Sequence, residues 1–242
     1  MSFVVLLLAI LIEKFSALRQ RLQRDGGWLR ELHKLEASPK LVNKPWWVLI
    51  ILVALPVAVL GLLLVVLQPV AYGLIALPVH LLVVVYSLGR GDLLADLGPF
   101  RDAWRRGDLQ AGAHVAQRDL GVCADSGEQL LENVQGHMLW QAYQSFFAVI
   151  FWYFLLGPVA ALSYRLLALT AEHSKNPELA ERAQQLRHAF DWLPVRLLAA
   201  SFALVGNFGA VSKVMLHELL SWEVSAAQLI DKAGCAAAEL PA

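Results

Sequence analysis

The side chains best placed for chemistry in this sequence are polar groups set inside or beside long apolar runs. Arg118 and Asp119, Gln141, Tyr143 and Ser145, Tyr164 and Arg165, Asp191 and Arg196 all lie at membrane depth or close to it. A charge in such a place is costly unless it reaches water or a partner. Two arrangements satisfy them. An Asp191–Arg196 pairing across one turn and a half, or cross-pairing with Arg165 and Asp119, gives a buried structural ion network. Convergence of Arg118, Arg165 and Arg196 gives a polar cavity, open to the cytoplasm, that holds an anionic ligand. The candidate ligand-binding set is therefore Arg118, Asp119, Gln141, Tyr164, Arg165, Asp191 and Arg196. No catalytic or metal-ligating set is assigned and no cofactor is named. The sequence has no Gly-rich phosphate loop, no nucleophile elbow and no paired-histidine metal spacing.

The remaining chemistry-bearing residues are scattered. The seven histidines are His33, His80, His114, His137, His173, His188 and His217, of which His80 falls inside an apolar run and must there be neutral or partnered. It reads as a packing histidine. Cys123 and Cys235 stand in no metal or redox spacing and read as free thiols.

The elements that must position these groups are membrane helices. Of 242 residues, 58% are hydrophobic and 17% charged, and 20 Lys plus Arg balance 20 Asp plus Glu. That composition, with a positive mean hydropathy, excludes a soluble domain and gives no bulk field for nucleic acid. Trp46–Leu67 and Val70–Leu88 are uncharged runs of 22 and 19 residues joined by Gln68 and Pro69. About 20 such residues cross the roughly 30 Å hydrocarbon core, so 46–88 is expected to be a transmembrane hairpin, kinked at Pro56 and Pro78.

Around the hairpin, residues 1–45 are expected to hold embedded and amphipathic helices. Ser2–Ile12 is too short for a span and is ended by Glu13 and Lys14. Lys14–Lys44 carries eight Lys or Arg against three acids, which places 14–45 in the cytoplasm. Leu18, Leu22, Trp28, Leu29, Leu32 and Leu35 fit a basic amphipathic helix pair on the anionic leaflet; the charges fit equally well as ordinary juxtamembrane retention charge. Residues 89–137 read as a helical cytoplasmic loop with Phe100, Trp104, Leu109 and Val115 facing inward. Asp108 and Ser126 stand as N-caps, Ser126 in a capping box with Gln129.

Membrane helices with a polar connector at 168–190 are expected over 138–216. Phe146–Leu162 is the third span candidate, its helix entering from the cytoplasmic unit without a break. Leu193–Leu216, with Arg196, Asn207 and Lys213, is a weaker candidate expected to be screened from lipid by other helices. Both runs either cross or form a re-entrant pair. A polar tail, 217–242, ends without a helix stop. The fold class is all-α: a polytopic membrane protein with about four membrane-embedded helices and short cytoplasmic helices.

Several stretches carry a family resemblance. Gln135–Pro158, Tyr164–Arg165 and Phe190–Leu197, with Phe100–Asp108, His114–Gly121 and Glu13–Phe15, resemble the AmpE family, in its pseudomonad form, over essentially the whole chain. The resemblance implies a bacterial inner-membrane protein, a sensory or signalling modulator of β-lactamase induction linked to cell-wall recycling and to the cytoplasmic amidase AmpD. AmpE is in turn similar to the CbiB/CobD membrane synthases, which use ATP to form an amide. Arg118–Asp119, Gly157–Pro158, Tyr164–Arg165 and Pro194–Arg196–Leu197 fall on motifs of that family. Its acidic segments are replaced here by Trp140–Ser145 and by Leu167–Ser174, which keeps only Glu172. Since ATP chemistry needs Mg²⁺ on carboxylates, the resemblance implies the fold without the synthase activity. Three readings follow: a non-catalytic ligand-binding or sensory module; an enzyme using Asp119, Glu172 and Asp191; and an oligomeric scaffold in which the aromatic wall Phe146–Phe154 meets lipid or a homodimer partner.

Overall fold

The computed structural model describes residues 2–15, 25–39, 41, 43–67, 75–89, 93–124, 126–218, 221, 222 and 224–238. Among these residues there are eleven helices and no strand. Three helices are long and apolar enough to cross a membrane: α3 (Pro45–Leu67), α7 (Gly127–Leu156) and α9 (Pro177–Val205). A shorter apolar helix, α4 (Ala76–Ser87), joins them. The chain divides into two compact units, residues 1–90 with 146–191 and residues 91–145 with 192–242. Helices α7 and α9 each contribute to both.

In the first unit α1 (Ser2–Phe15) packs on α4, while α8 (Pro158–His173) packs on α3, α4 and the end of α7. Pro56 has no N–H to give the preceding turn, and a π turn at Ile50–Ala54 takes up the mismatch. Pro78 falls in the first turn of α4, where a missing donor costs nothing. The run 146–162, expected as one span, is two helices. Gly157 has φ +80°, which glycine tolerates best, and Pro158 then opens α8 at its first position.

Leu32, from α2 (Gly26–Glu36), enters a core with Val48, Leu49, Leu52, Val53, Leu166, Leu167, Leu179 and Ala183. Burying one such leucine stabilises by about 1.5–3 kcal/mol. Trp28, Leu29 and Leu35 pack beside Leu32, so the amphipathic pattern of α2 is spent on the bundle. The Gln68–Pro69 joint, and Leu18 and Leu22 of the expected amphipathic pair, lie outside the described residues. So does the side chain of Glu13.

The second unit has α5 (Leu93–Arg105), α6 (Leu109–Val115, continued by a π turn Ala116–Leu120), α10 (Phe208–Glu218) and α11 (Ala226–Ala237), with the adjoining parts of α7 and α9. Asp108 accepts from the Ala111 N–H at 3.0 Å and Ser126 from the Gln129 N–H at 3.3 Å, so both caps form. The reciprocal capping box stands at Ser225 and Gln228. Phe100, Ala116, Leu130 and Val134 make one small core and Ala199, Ala203, Val211 and Ala233 another. Leu109, expected inward, is exposed, because it opens α6 at the turn.

Leu193–Leu216 is not one helix. It breaks at Gly206 and Asn207, where the Asn207 Oδ1 accepts from the Ala210 N–H at 3.1 Å and starts α10. The expected polar tail contains α11, which packs on α7 and α10.

Candidate functional site

Helix α8 carries Tyr164, Arg165 and Glu172, and in the first unit each meets a partner from another element. The Tyr164 hydroxyl donates to Asp191 Oδ1 at 2.9 Å. Arg187, which is buried, donates to Glu172 at 3.1 Å and sets its Nε 3.6 Å from Asp191 Oδ2. Arg165 donates to the buried Asp25, at the entry to α2, at 3.2 Å. One Glu36 oxygen accepts from the Ser174 hydroxyl at 2.5 Å and from the Lys175 N–H at 3.1 Å, closing the turn between α8 and α9 onto α2. A polar pocket of about 610 Å³ lies there, lined by His33, Glu36, Asn43, Lys175, Asn176 and Glu178. His80 Nδ1 is 3.0 Å from the Tyr153 hydroxyl, the packing role expected of it. Arranged this way, Tyr164, Arg165 and Asp191 tie three helices together through paired charges.

In the second unit the polar groups make separate pairs. Arg118 grips the carboxylate of its neighbour Asp119 through two hydrogen bonds, 2.7 and 2.8 Å, on the surface. Hydrogen bonding to Arg118 holds the Asp119 carboxyl below its ordinary value. Gln141 accepts from Gln144 at 2.7 Å, and the buried Tyr143 stacks on Trp140. Ser145 is buried. Arg196 donates to the carbonyls of Trp192 at 2.8 Å and Ser221 at 2.7 Å, its guanidinium 4.2 Å from the centre of the Trp192 ring. Both thiols are free, Cys123 exposed and Cys235 buried.

This unit also holds a cavity of about 800 Å³. Its walls come from Phe100 and Trp104 of α5, Met138 and Leu139 of α7, Phe202 of α9 and Cys235 of α11, with Arg101 and Gln135 as its main polar side chains. That size and lining suit a small molecule with a large apolar part. Among the described residues no three His, Cys, Asp or Glu side chains converge as a metal-holding group.

The model of the regulatory signalling modulator protein AmpE matches residues 1–232. The chain belongs to the AmpE family. It is similar to Protein AmpE of Shigella flexneri, 27% identical over 222 residues that cover 86% of this chain and 75% of that protein. No solved structure matches. As an AmpE family member with three helices fit to span a bilayer, the chain is a regulatory membrane protein.

The sequence reading missed Asp25, Glu36, Arg187 and the whole cavity. Arg187 stands four residues before Asp191, the spacing of a helical ion pair, and that signal was available. Asp25 gave none, since its partner Arg165 is 140 residues away. The cavity walls carry ordinary apolar residues whose separation depends on how four helices cross.

Proposed function

We propose that the protein is a non-catalytic sensory module of the bacterial inner membrane, acting in β-lactamase induction and cell-wall recycling, with a functional link to the cytoplasmic amidase AmpD. What supports this reading is the formed, mostly apolar cavity of the second unit, beside the internally paired acids of the first. Glu172 and Asp191, two of the three acids an enzyme reading would use, share Arg187, and the third, Asp119, is held by Arg118. Tyr164, Arg165, Asp191 and Arg196 then serve to hold helices in register, and the ligand occupies the space between α5, α7, α9 and α11. Its apolar part fills the cavity and its polar part meets Arg101 and Gln135.

The test is to fill the cavity. Ala142→Trp and, separately, Ala237→Trp place an indole at its wall. In cells lacking their own copy, both variants are expected at normal membrane level yet unable to modulate β-lactamase induction. Normal modulation by both variants would remove the cavity from the function.

A further inference from the structure

The turn between α8 and α9 is tied to α2, a helix whose surroundings in the sequence are strongly basic. Glu36 Oε1, at the end of α2, accepts from the Ser174 hydroxyl, from the Lys175 N–H at 3.1 Å and from the Asn176 N–H at 3.4 Å. Three donors of one turn on a single carboxylate oxygen hold that turn against α2. The start of α9 stays with the same neighbours. Leu179 and Ala183 are buried in the core that contains Leu32 of α2 and Val48 and Leu49 of α3. The Arg182 guanidinium stands 6.0 Å from the centre of the Trp46 ring. Trp46 and Trp47 are exposed at the start of α3, in the position where tryptophan marks the headgroup level. The α8–α9 turn therefore lies at the level where α3 begins.

Helix α8 reaches that level by running back along α3. Near its start, Val159 Cγ2 is 4.0 Å from the place a Cβ would take at Gly61, about 24 Å along α3 from Pro45. Further along α8, Leu166 and Leu167 pack with Val48, Leu49, Leu52 and Val53. As numbers rise on α8 they fall on α3, so the two helices are antiparallel. The end of α7 packs on α8, and the chain reverses between them at Gly157. A single span over 146–162 would instead carry the turn to the far side of a core about 30 Å thick, out of reach of Glu36.

Charge then names the side. Lys14–Lys44 holds eight Lys or Arg against three acids, which keeps it in the cytoplasm, and the 46–88 hairpin returns residue 89 to the same face. Residues 168–190 hold three Lys or Arg and three acids. They carry no bias of their own, so their side is set by what they touch.

We propose that the α8–α9 turn and the first turns of α9 stand on the cytoplasmic face beside α2, and that 138–173 is a second membrane hairpin with both ends on that face. The polar pocket between α2 and this turn then opens to the cytoplasm, and the solutes that reach it come from that side. This goes beyond the cavity reading and stands whether or not the cavity binds a ligand.

The experiment introduces Lys34→Cys, Lys175→Cys and Gln184→Cys in turn, all exposed positions, in the full chain carrying Cys123→Ala and Cys235→Ala. A membrane-impermeant maleimide is applied to spheroplasts, to inverted membrane vesicles and to detergent-permeabilised membranes. All three cysteines are expected to react several-fold more in inverted vesicles than in spheroplasts. Reaction of Lys175→Cys and Gln184→Cys in spheroplasts puts the turn outside and overturns the proposal. Reaction of all three in spheroplasts keeps the turn with α2 but reverses the orientation, and overturns it too. Reaction of both turn positions only after detergent means that the turn faces no water, and is equally fatal. Two turn positions keep the result independent of one variant's folding.

Discussion

Arg187 in the first unit and Arg196 in the second are both buried, 8% exposed each, yet they are held by different chemistry. Arg187 lies against two carboxylates, Glu172 and Asp191, and Tyr164 joins the same network through Asp191. Arg196 is held by two backbone carbonyls and an indole face. Charge in the first unit is mutual, so removing one member strands the others. In the second, the bonds described for the cation go to neutral acceptors, and removing it leaves those carbonyl dipoles without their donor. The pattern extends outward: the first unit surrounds an apolar core with ion pairs, and the second surrounds an apolar cavity with small cores.

The comparison is broken most directly at the two arginines. Arg187→Met is expected to destabilise by about 3–5 kcal/mol, the cost of leaving a buried acid uncompensated. Arg196→Met is expected to cost about 1.5–3 kcal/mol, the range for hydrogen bonds to a charged group. Thermal unfolding in a mild detergent reads both. Adding Glu172→Gln and Asp191→Asn to Arg187→Met is expected to recover part of the loss, and equal losses for the two arginines would erase the distinction. The cores differ next. Leu32→Ala removes a fully buried side chain and is expected to cost about 2–5 kcal/mol, whereas Met138→Ala enlarges an existing cavity and costs less than half of that.

How much of this the sequence carried depends on the range of the interaction. Uncharged runs set α3 and α4, and local cap chemistry set Asp108 and Ser126, because both signals lie within a few residues. The breaks at Gly157 and Gly206 were harder to read. A glycine inside an apolar run is compatible with a continuous helix, and only the positive φ at Gly157 and the close approach to Ala237 at Gly206 decide otherwise. The candidate residues Tyr164, Arg165 and Asp191 were picked for being charged or polar beside lipid. Which partner each one takes depends on tertiary packing, so Asp25 and Arg187 were out of reach or overlooked.

Gly206, in the turn between α9 and α10, is where the comparison can be sharpened. A Cβ there would meet the backbone carbonyl of Ala237, which cannot swing aside as a side chain can. Gly206→Ala is expected to cost about 1–3 kcal/mol through overpacking. Gly234→Ala presses instead on the flexible end of Leu139 and is expected to cost less. Thermal unfolding in the same detergent reads the difference. Equal losses for the two variants would mean that α11 does not hold the turn.

The smallest effect belongs to Asp231 on α11. Burial, and then the nearby Glu132, push its carboxyl above the ordinary value of 3.8. The folded protein therefore holds this proton more tightly than the unfolded chain does. The stabilisation from this group is complete below that ordinary value and is lost as pH rises through the raised one. Asp231→Asn removes the titration, so the variant's melting temperature is expected to fall less than the parent's as pH climbs from about 4 toward neutrality. The same side chain stands against Gly136 of α7, so Asn, of nearly equal shape, separates the charge from the packing. An unchanged pH slope would show that the carboxyl reaches water and that α11 lies less closely on α7 than the helix crossing at Gly136 requires.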